Sequence, residues 1–189
     1  MIMFKKIRTK IGTRILRKRL RKYTRKKALY NFDNSKNIGV LFKAEDTKQI
    51  DEIKNFLQYL SDKKNNICAI GFVDQKIVPD NFQHKKGYNF FCRKDLDLYF
   101  LPNTHLVNDF LSKSYDILID LSFDNHPALN YIVSMTNASF KIGSVKKTTV
   151  QYDFMIDLQT QFSTQSLIDN IKHYMEVFCN SKSLKTINL

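Results

Sequence analysis

The chain has 189 residues, 43% hydrophobic and 13% aromatic, with only 5 Gly and 3 Pro. This composition excludes a disordered chain and suffices for one compact core plus an appendage. The formal net charge of +13 lies wholly in residues 1–27, which hold 13 basic residues and no acidic one, leaving 18 basic against 18 acidic over 28–189.

The basic residues of that first segment are Lys5, Lys6, Arg8, Lys10, Arg14, Arg17, Lys18, Arg19, Arg21, Lys22, Arg25, Lys26 and Lys27. With no Pro and one Gly, the segment is expected to be a helical arm over residues 1–30. Thirteen like charges need counter-charge, and phosphates supply it, releasing their condensed counterions as the basic groups replace them. At 100° per residue, Phe4, Ile7, Ile11 and Ile15 lie on one side, and Leu16, Leu20 and Tyr23 lie roughly opposite. A helix on lipid wants one apolar face, so this switch favours RNA over an anionic membrane surface as the partner. A solvated basic tail is the plainer alternative.

After a polar junction at 31–37, strands and helices alternate through residues 31–189. Ile38–Phe42 reads as a strand, and Asp46-x-x-Gln49 resembles a capping box that opens a helix with Ile50, Ile53, Leu57 and Leu60 inward. Ile67–Val73 is the next strand, followed by a polar stretch with a basic turn at 84–87 and a segment at Tyr88–Cys92. Pro102 and Asn103 start a helix, and Asp116–Leu121 is an apolar strand of the doubly buried kind. Pro127 opens another helix. Strands at Phe140–Val145 and Phe154–Leu158 follow, then a strongly periodic helix over Thr164–Phe178. The pattern predicts an α/β, Rossmann-like three-layer domain with a mostly parallel sheet, preceded by the basic N-terminal helix.

In such a sheet, ligands bind at the carboxyl ends of the strands. None of the segments there is glycine-rich, so no nucleotide cofactor is expected. Asp124 and His126, at a helix start, form the candidate ligand site, since a carboxylate beside an imidazole can orient a general base. Helix capping by Asp124 or Asn125 is the favoured alternative. His84, His105 and His173 lack metal-ligand spacing, so no metal is expected. Cys68 reads as a core residue, and the three scattered cysteines, with no C-x-x-C pair, suit a reducing cytoplasm. No run approaches the ~20 apolar residues of a membrane span, and the basic N-terminal stretch lacks the apolar run of a signal peptide.

The segments IGVLFKAED, GFVDQKIVPDNFQHKKGYNFFCRKDL, YDILIDLS, FKIG and YDFMIDL together resemble a Bacteroidota protein family without an established activity. That resemblance implies a bacterial cytoplasmic protein with a Lys-rich leader. Residues 115–145, YDILIDLSFDNHPALNYIVSMTNASFKIGSV, are similar to the N-terminal domain of heptosyltransferase-like glycosyltransferases. The likeness implies the fold; the first-strand loop KAEDTKQ lacks the glycine of those enzymes, and a second domain is missing. The resulting expectation is a non-enzymatic RNA-binding protein, foremost a ribosome-associated one that grips rRNA phosphates through the arm. The charge-balanced domain is left to present a surface to a protein partner. A degenerate glycosyltransferase-like or small-ligand-binding domain is the first alternative, and a membrane-surface module anchored by the arm is the second.

Overall fold

A computed structural model describes residues 2–83, 88–146, 150, 152–159 and 162–186, with the side chains of 2, 3, 5, 81, 83 and 179–186 left aside. The basic turn at 84–87, His84 included, and the side chains of Lys5 and Cys179 therefore lie outside the described residues.

Six strands, β1 (Asn37–Ala44), β2 (Asn66–Val73), β3 (Tyr88–Cys92), β4 (Ser114–Asp120), β5 (Asn137–Ser144) and β6 (Phe154–Ile156), form one sheet in the order β3-β2-β1-β4-β5-β6. Every pairing is parallel. The order reverses between β1 and β4, the switch point at which doubly wound sheets open a crevice. The helices are α1 (Ile2–Leu20), α2 (Thr47–Asp62), the short α3 (Asp80–Gln83), α4 (His105–Ser112), α5 (Pro127–Met135) and α6 (Thr164–Thr186).

Two apolar layers sandwich the sheet. On one face Ile38, Val40 and Phe42 of β1 meet Ile50, Ile53 and Leu60 of α2 and Leu167, Ile168 and Ile171 of α6. On the other, Leu41, Phe72 and Leu118 meet Val107 and Phe110 of α4 and Leu129 and Ile132 of α5. The central strands β1, β2 and β4 thus bury both faces, which is why these stretches read as continuous apolar runs rather than alternating ones.

The expected elements are present, with shifted ends. The Asp46 cap accepts from Gln49 N at 2.8 Å, but the Gln49 side chain returns to Glu45 N, one residue before the cap. Of the two cysteines whose side chains are described, Cys92 is buried and Cys68, expected in the core, is only half-buried, with the Lys113 ammonium 3.3 Å from its sulfur.

The N-terminal helix does not stand away from the domain. Leu16 is buried in the second core layer, with Ile15 and Leu20 packed at its margin. Gly12 is the reason the helix comes so close, because a Cβ there would run into the carbonyl oxygen of Tyr99. The two-sided apolar pattern has a direct cause: Leu16 and Leu20 dock on the domain, while Phe4 and Ile7 remain exposed.

Candidate functional site

The loop between β3 and α4 builds the seat for α1. Asp97 Oδ1 accepts from Tyr99 N at 2.7 Å and from Leu101 N at 2.9 Å, and its backbone N–H donates to Leu101 O at 2.8 Å. The tightness of this loop forces Phe100 to φ 61°, a left-handed conformation that a bulky residue adopts only under constraint. The same loop offers the Leu98 carbonyl to Arg8 Nε, and the Arg8 guanidinium lies 4.5 Å from the Phe100 ring centre.

Two further arginines fasten the segment. Arg19 donates to the Tyr131 hydroxyl of α5 at 2.5 Å. Arg25 Nη1 reaches the carbonyls of Ala138 and Ser139, and Nη2 reaches both oxygens of Asp153. Of the residues expected to bind nucleic acid, Arg8, Arg19, Arg25 and Lys27, the last through Asp153 at 3.3 Å, thus engage the domain itself. Lys6, Lys10, Arg14, Arg17, Lys18, Arg19, Arg21, Lys22, Lys26 and Lys27 are exposed.

The strand-end site has a different geometry from a catalytic dyad. Asp124 pairs with the Lys43 ammonium at the end of β1, which also meets Glu45 at 3.2 Å. Burial alone would lower the Lys43 pKa, but its hydrogen bonds to Asp124 and Glu45 outweigh that and raise it. His126 is the N-cap of α5: its Nδ1 accepts from Ala128 N at 3.2 Å, and its ring rests 4.5 Å from that of Phe72. Capping is therefore the observed role, carried by His126 and not by Asp124 or Asn125.

Beside His126 a cavity of about 670 Å³ opens at the carboxyl ends of β2 and β3. Asp74, Arg93, Leu98, Phe100 and Arg8 help line it. Its size lies within the ~300–1,000 Å³ range of ligand pockets. Two of its charges, however, satisfy one another: Arg93 Nε donates to Asp74 at 2.6 Å and holds that carboxyl below its usual range.

Sequence reasoning missed two polar clusters. At the end of β4, Asp120 is fully buried and accepts from Ser122 Oγ at 2.6 Å, Lys146 Nζ at 2.7 Å and the Tyr152 hydroxyl at 2.6 Å. Burial pushes the Tyr152 phenol up, and the Asp120 charge adds to it. The network is closed on itself and ties the approach to β6 onto β4. The second cluster centres on Lys141 of β5, 2% exposed, which donates to Val133 O at 2.6 Å and to Ser134 O at 3.3 Å. A lysine inside a strand gives no spacing signal. Only its burial beneath residues 20–27 makes it unusual.

Among the described residues, no group of three His, Cys, Asp or Glu side chains is placed to hold a metal ion, and no helix is long and apolar enough to cross a membrane. No curated protein and no solved structure matches the chain. A model of a family of unknown function, DUF6913, matches residues 8–178, from Arg8 in its seat on the β3–α4 loop to Phe178 in α6, and the chain belongs to that family.

Proposed function

We propose that this protein binds the phosphate backbone of RNA through the outward face of α1 and the segment that follows it. One observation carries the reading. Ten basic side chains between Lys6 and Lys27 are exposed on a helix and extension already held in place by the domain. The ordering cost that a loose basic tail meets on binding is reduced here, because Gly12, Leu16 and Arg25 fix the segment beforehand. Phosphate contacts of this kind position a protein without reading bases, which suits a ribosome-associated role on rRNA. The reading places the protein in a bacterial cytoplasm, and assigns the domain to holding the arm and to presenting a surface to a protein partner. The likeness of residues 115–145 to heptosyltransferase-like enzymes supports the β4–α5–β5 unit alone, and no glycosyl transfer is proposed.

One observation favours a second reading, an anionic membrane surface. Phe4 is 70% and Ile7 48% exposed, and the domain covers neither. Since the domain covers Leu16 and Leu20, the two-sided pattern no longer argues against a lipid-facing stripe.

The deciding measurement is binding of the full chain to unstructured RNA and to anionic vesicles across a salt series. With about six phosphates engaged on single-stranded RNA, affinity falls about three-hundredfold between 50 and 200 mM salt. Replacing Arg14, Arg17, Lys18, Arg21 and Lys22 with Gln flattens that slope, while Phe4→Ser with Ile7→Ser leaves it intact. Vesicle binding that persists at 200 mM salt and is lost with the two Ser substitutions, with no RNA binding at low salt, sinks the RNA reading in favour of the membrane.

A further inference from the structure

Beneath the segment that leaves α1 lies a cleft of about 390 Å³, lined by Tyr23, Thr24, Arg25, Lys27, Ser134 and Lys141. We propose that this cleft is a binding site for a phosphate dianion, either free or carried as a terminal phosphomonoester. The site stands on its own residues and does not depend on the RNA reading.

Its chemistry is one-sided. The lining contributes two guanidinium or ammonium groups from the segment, Arg25 and Lys27, a third amine from β5, Lys141, and the hydroxyls of Tyr23, Thr24 and Ser134. The lining contains no carboxylate. Asp153 stands behind it, held by Arg25 Nη2 at 2.6 Å and by Lys27 at 3.3 Å, and one carboxylate does not balance three amine or guanidine groups. The Tyr23 hydroxyl is buried without a hydrogen-bond partner among the described residues. Such an orphaned donor is rare in a folded protein and marks a place where an acceptor belongs. Lys141 directs two of the three donor positions of its ammonium to the carbonyls of Val133 and Ser134.

The electrostatics agree. Burial first, then the charges of Arg25 and Lys27, lower the Lys141 pKa to about 7 against the opposing pull of Asp153. Asp153 alone does not offset the burial and the two cations, and a bound dianion adds the negative charge that would. The geometry also selects among phosphates. Lys141 is 2% exposed, so a group must project past the rim to approach it. A diester inside a polymer has sugars on both sides, whereas a free phosphate or a terminal monoester projects.

The test is thermal melting and calorimetric titration of the full chain with inorganic phosphate at about pH 8, against chloride at matched ionic strength. Phosphate is expected to raise the melting temperature where chloride does not, and binding is expected to take up protons as Lys141 becomes charged. Tyr23→Phe removes only the orphaned hydroxyl and should weaken phosphate roughly tenfold, the equivalent of one hydrogen bond. Lys141→Met should abolish it. Should Lys141→Met fail to fold, the Tyr23→Phe titration still decides. Phosphate no better than chloride, or binding by Tyr23→Phe equal to the unsubstituted chain, overturns the proposal. Paired RNA oligonucleotides with 5′-phosphate and 5′-hydroxyl ends identify the source. A phosphate-dependent preference lost in Tyr23→Phe assigns the site to RNA ends. Equal binding of the two, with inorganic phosphate still protecting, assigns it to a free phosphate or small monoester. Salt-dependent binding of the 5′-hydroxyl RNA reports on the arm alone, so its loss would count against the proposed function and not against this site.

Discussion

Nη2 of Arg25 donates to both carboxylate oxygens of Asp153, at 2.7 and 2.6 Å, and the two side chains are only 9% and 13% exposed. Asp153 also accepts from the backbone N–H of Lys141 at 2.9 Å, so one carboxylate joins the basic segment, β5 and the approach to β6. A pair this enclosed contributes little net energy when intact and much when halved, because removing one partner strands the other. Arg25→Met should therefore destabilise the protein by about 3 kcal/mol, toward the lower end for buried pairs, since Lys27 still faces Asp153 at 3.3 Å. Adding Asp153→Asn should recover part of that loss. Urea unfolding of the two single variants and the double variant measures the coupling, and additive losses would mean that the pair is not an energetic unit.

Gly12 and the Tyr99 carbonyl make the second joint. Gly12→Leu should push α1 off its seat and expose Leu16 and Leu20, while the opposite layer, formed by α2 and α6, contains no residue of α1 and stays folded. Hydrogen exchange checks this directly: protection should fall in residues 8–20 and on α5, and remain in β1 and α2. For the same reason residues 31–189 should fold cooperatively alone, but with lower solubility than the full chain, because α5 loses its cover. Uniform loss of protection in Gly12→Leu would show that α1 belongs to the same folding unit as the sheet.

The strand-end site yields a contrast between two substitutions at one position. His126→Ala deletes the acceptor that caps α5 and should cost about 1 kcal/mol. His126→Asn restores a capping oxygen and should recover most of it. If Asn were as destabilising as Ala, the imidazole would matter for more than the cap, and the small-ligand alternative at Asp124 and His126 would regain ground.

These positions also show what the sequence carries openly and what it hides. The apolar runs Ile38–Phe42, Ile67–Val73 and Asp116–Leu121 are legible because a doubly covered parallel strand has to be apolar on both sides. The second apolar stripe of α1 was equally visible, yet its meaning was not, since nothing in Leu16 or Leu20 says whether lipid or α5 covers it. Arg25, Asp153 and Lys141 were harder still. They are 12 to 128 positions apart, and no local period links residues that only the β4–β5–β6 crossover brings together. Charge composition marked Arg25 as one cation among thirteen, although its burial makes it a structural one.

Lys141 supplies the pH dependence. Its folded pKa is near 7, and its unfolded value is near the ordinary 10.5. Between those values the unfolded chain holds a proton that the folded chain has released, so stability rises with pH across that window, and below about 7 the cost of the buried charge is constant. Burial also raises the Cys92 thiol, and the phenols of Tyr23, Tyr115 and Tyr152 are raised too, so these groups work in the opposite sense from about pH 9 upward. The clean interval is therefore about pH 7 to 8.5 in phosphate-free buffer, where one such group contributes a slope of at most about 1.4 kcal/mol per pH unit. Lys141→Met should remove that slope and be most stabilising, relative to the unsubstituted chain, at the acid end. Urea midpoints at several pH values for both proteins decide it: parallel profiles would mean that Lys141 stays charged through the interval, satisfied by Asp153 and the carbonyls of Val133 and Ser134.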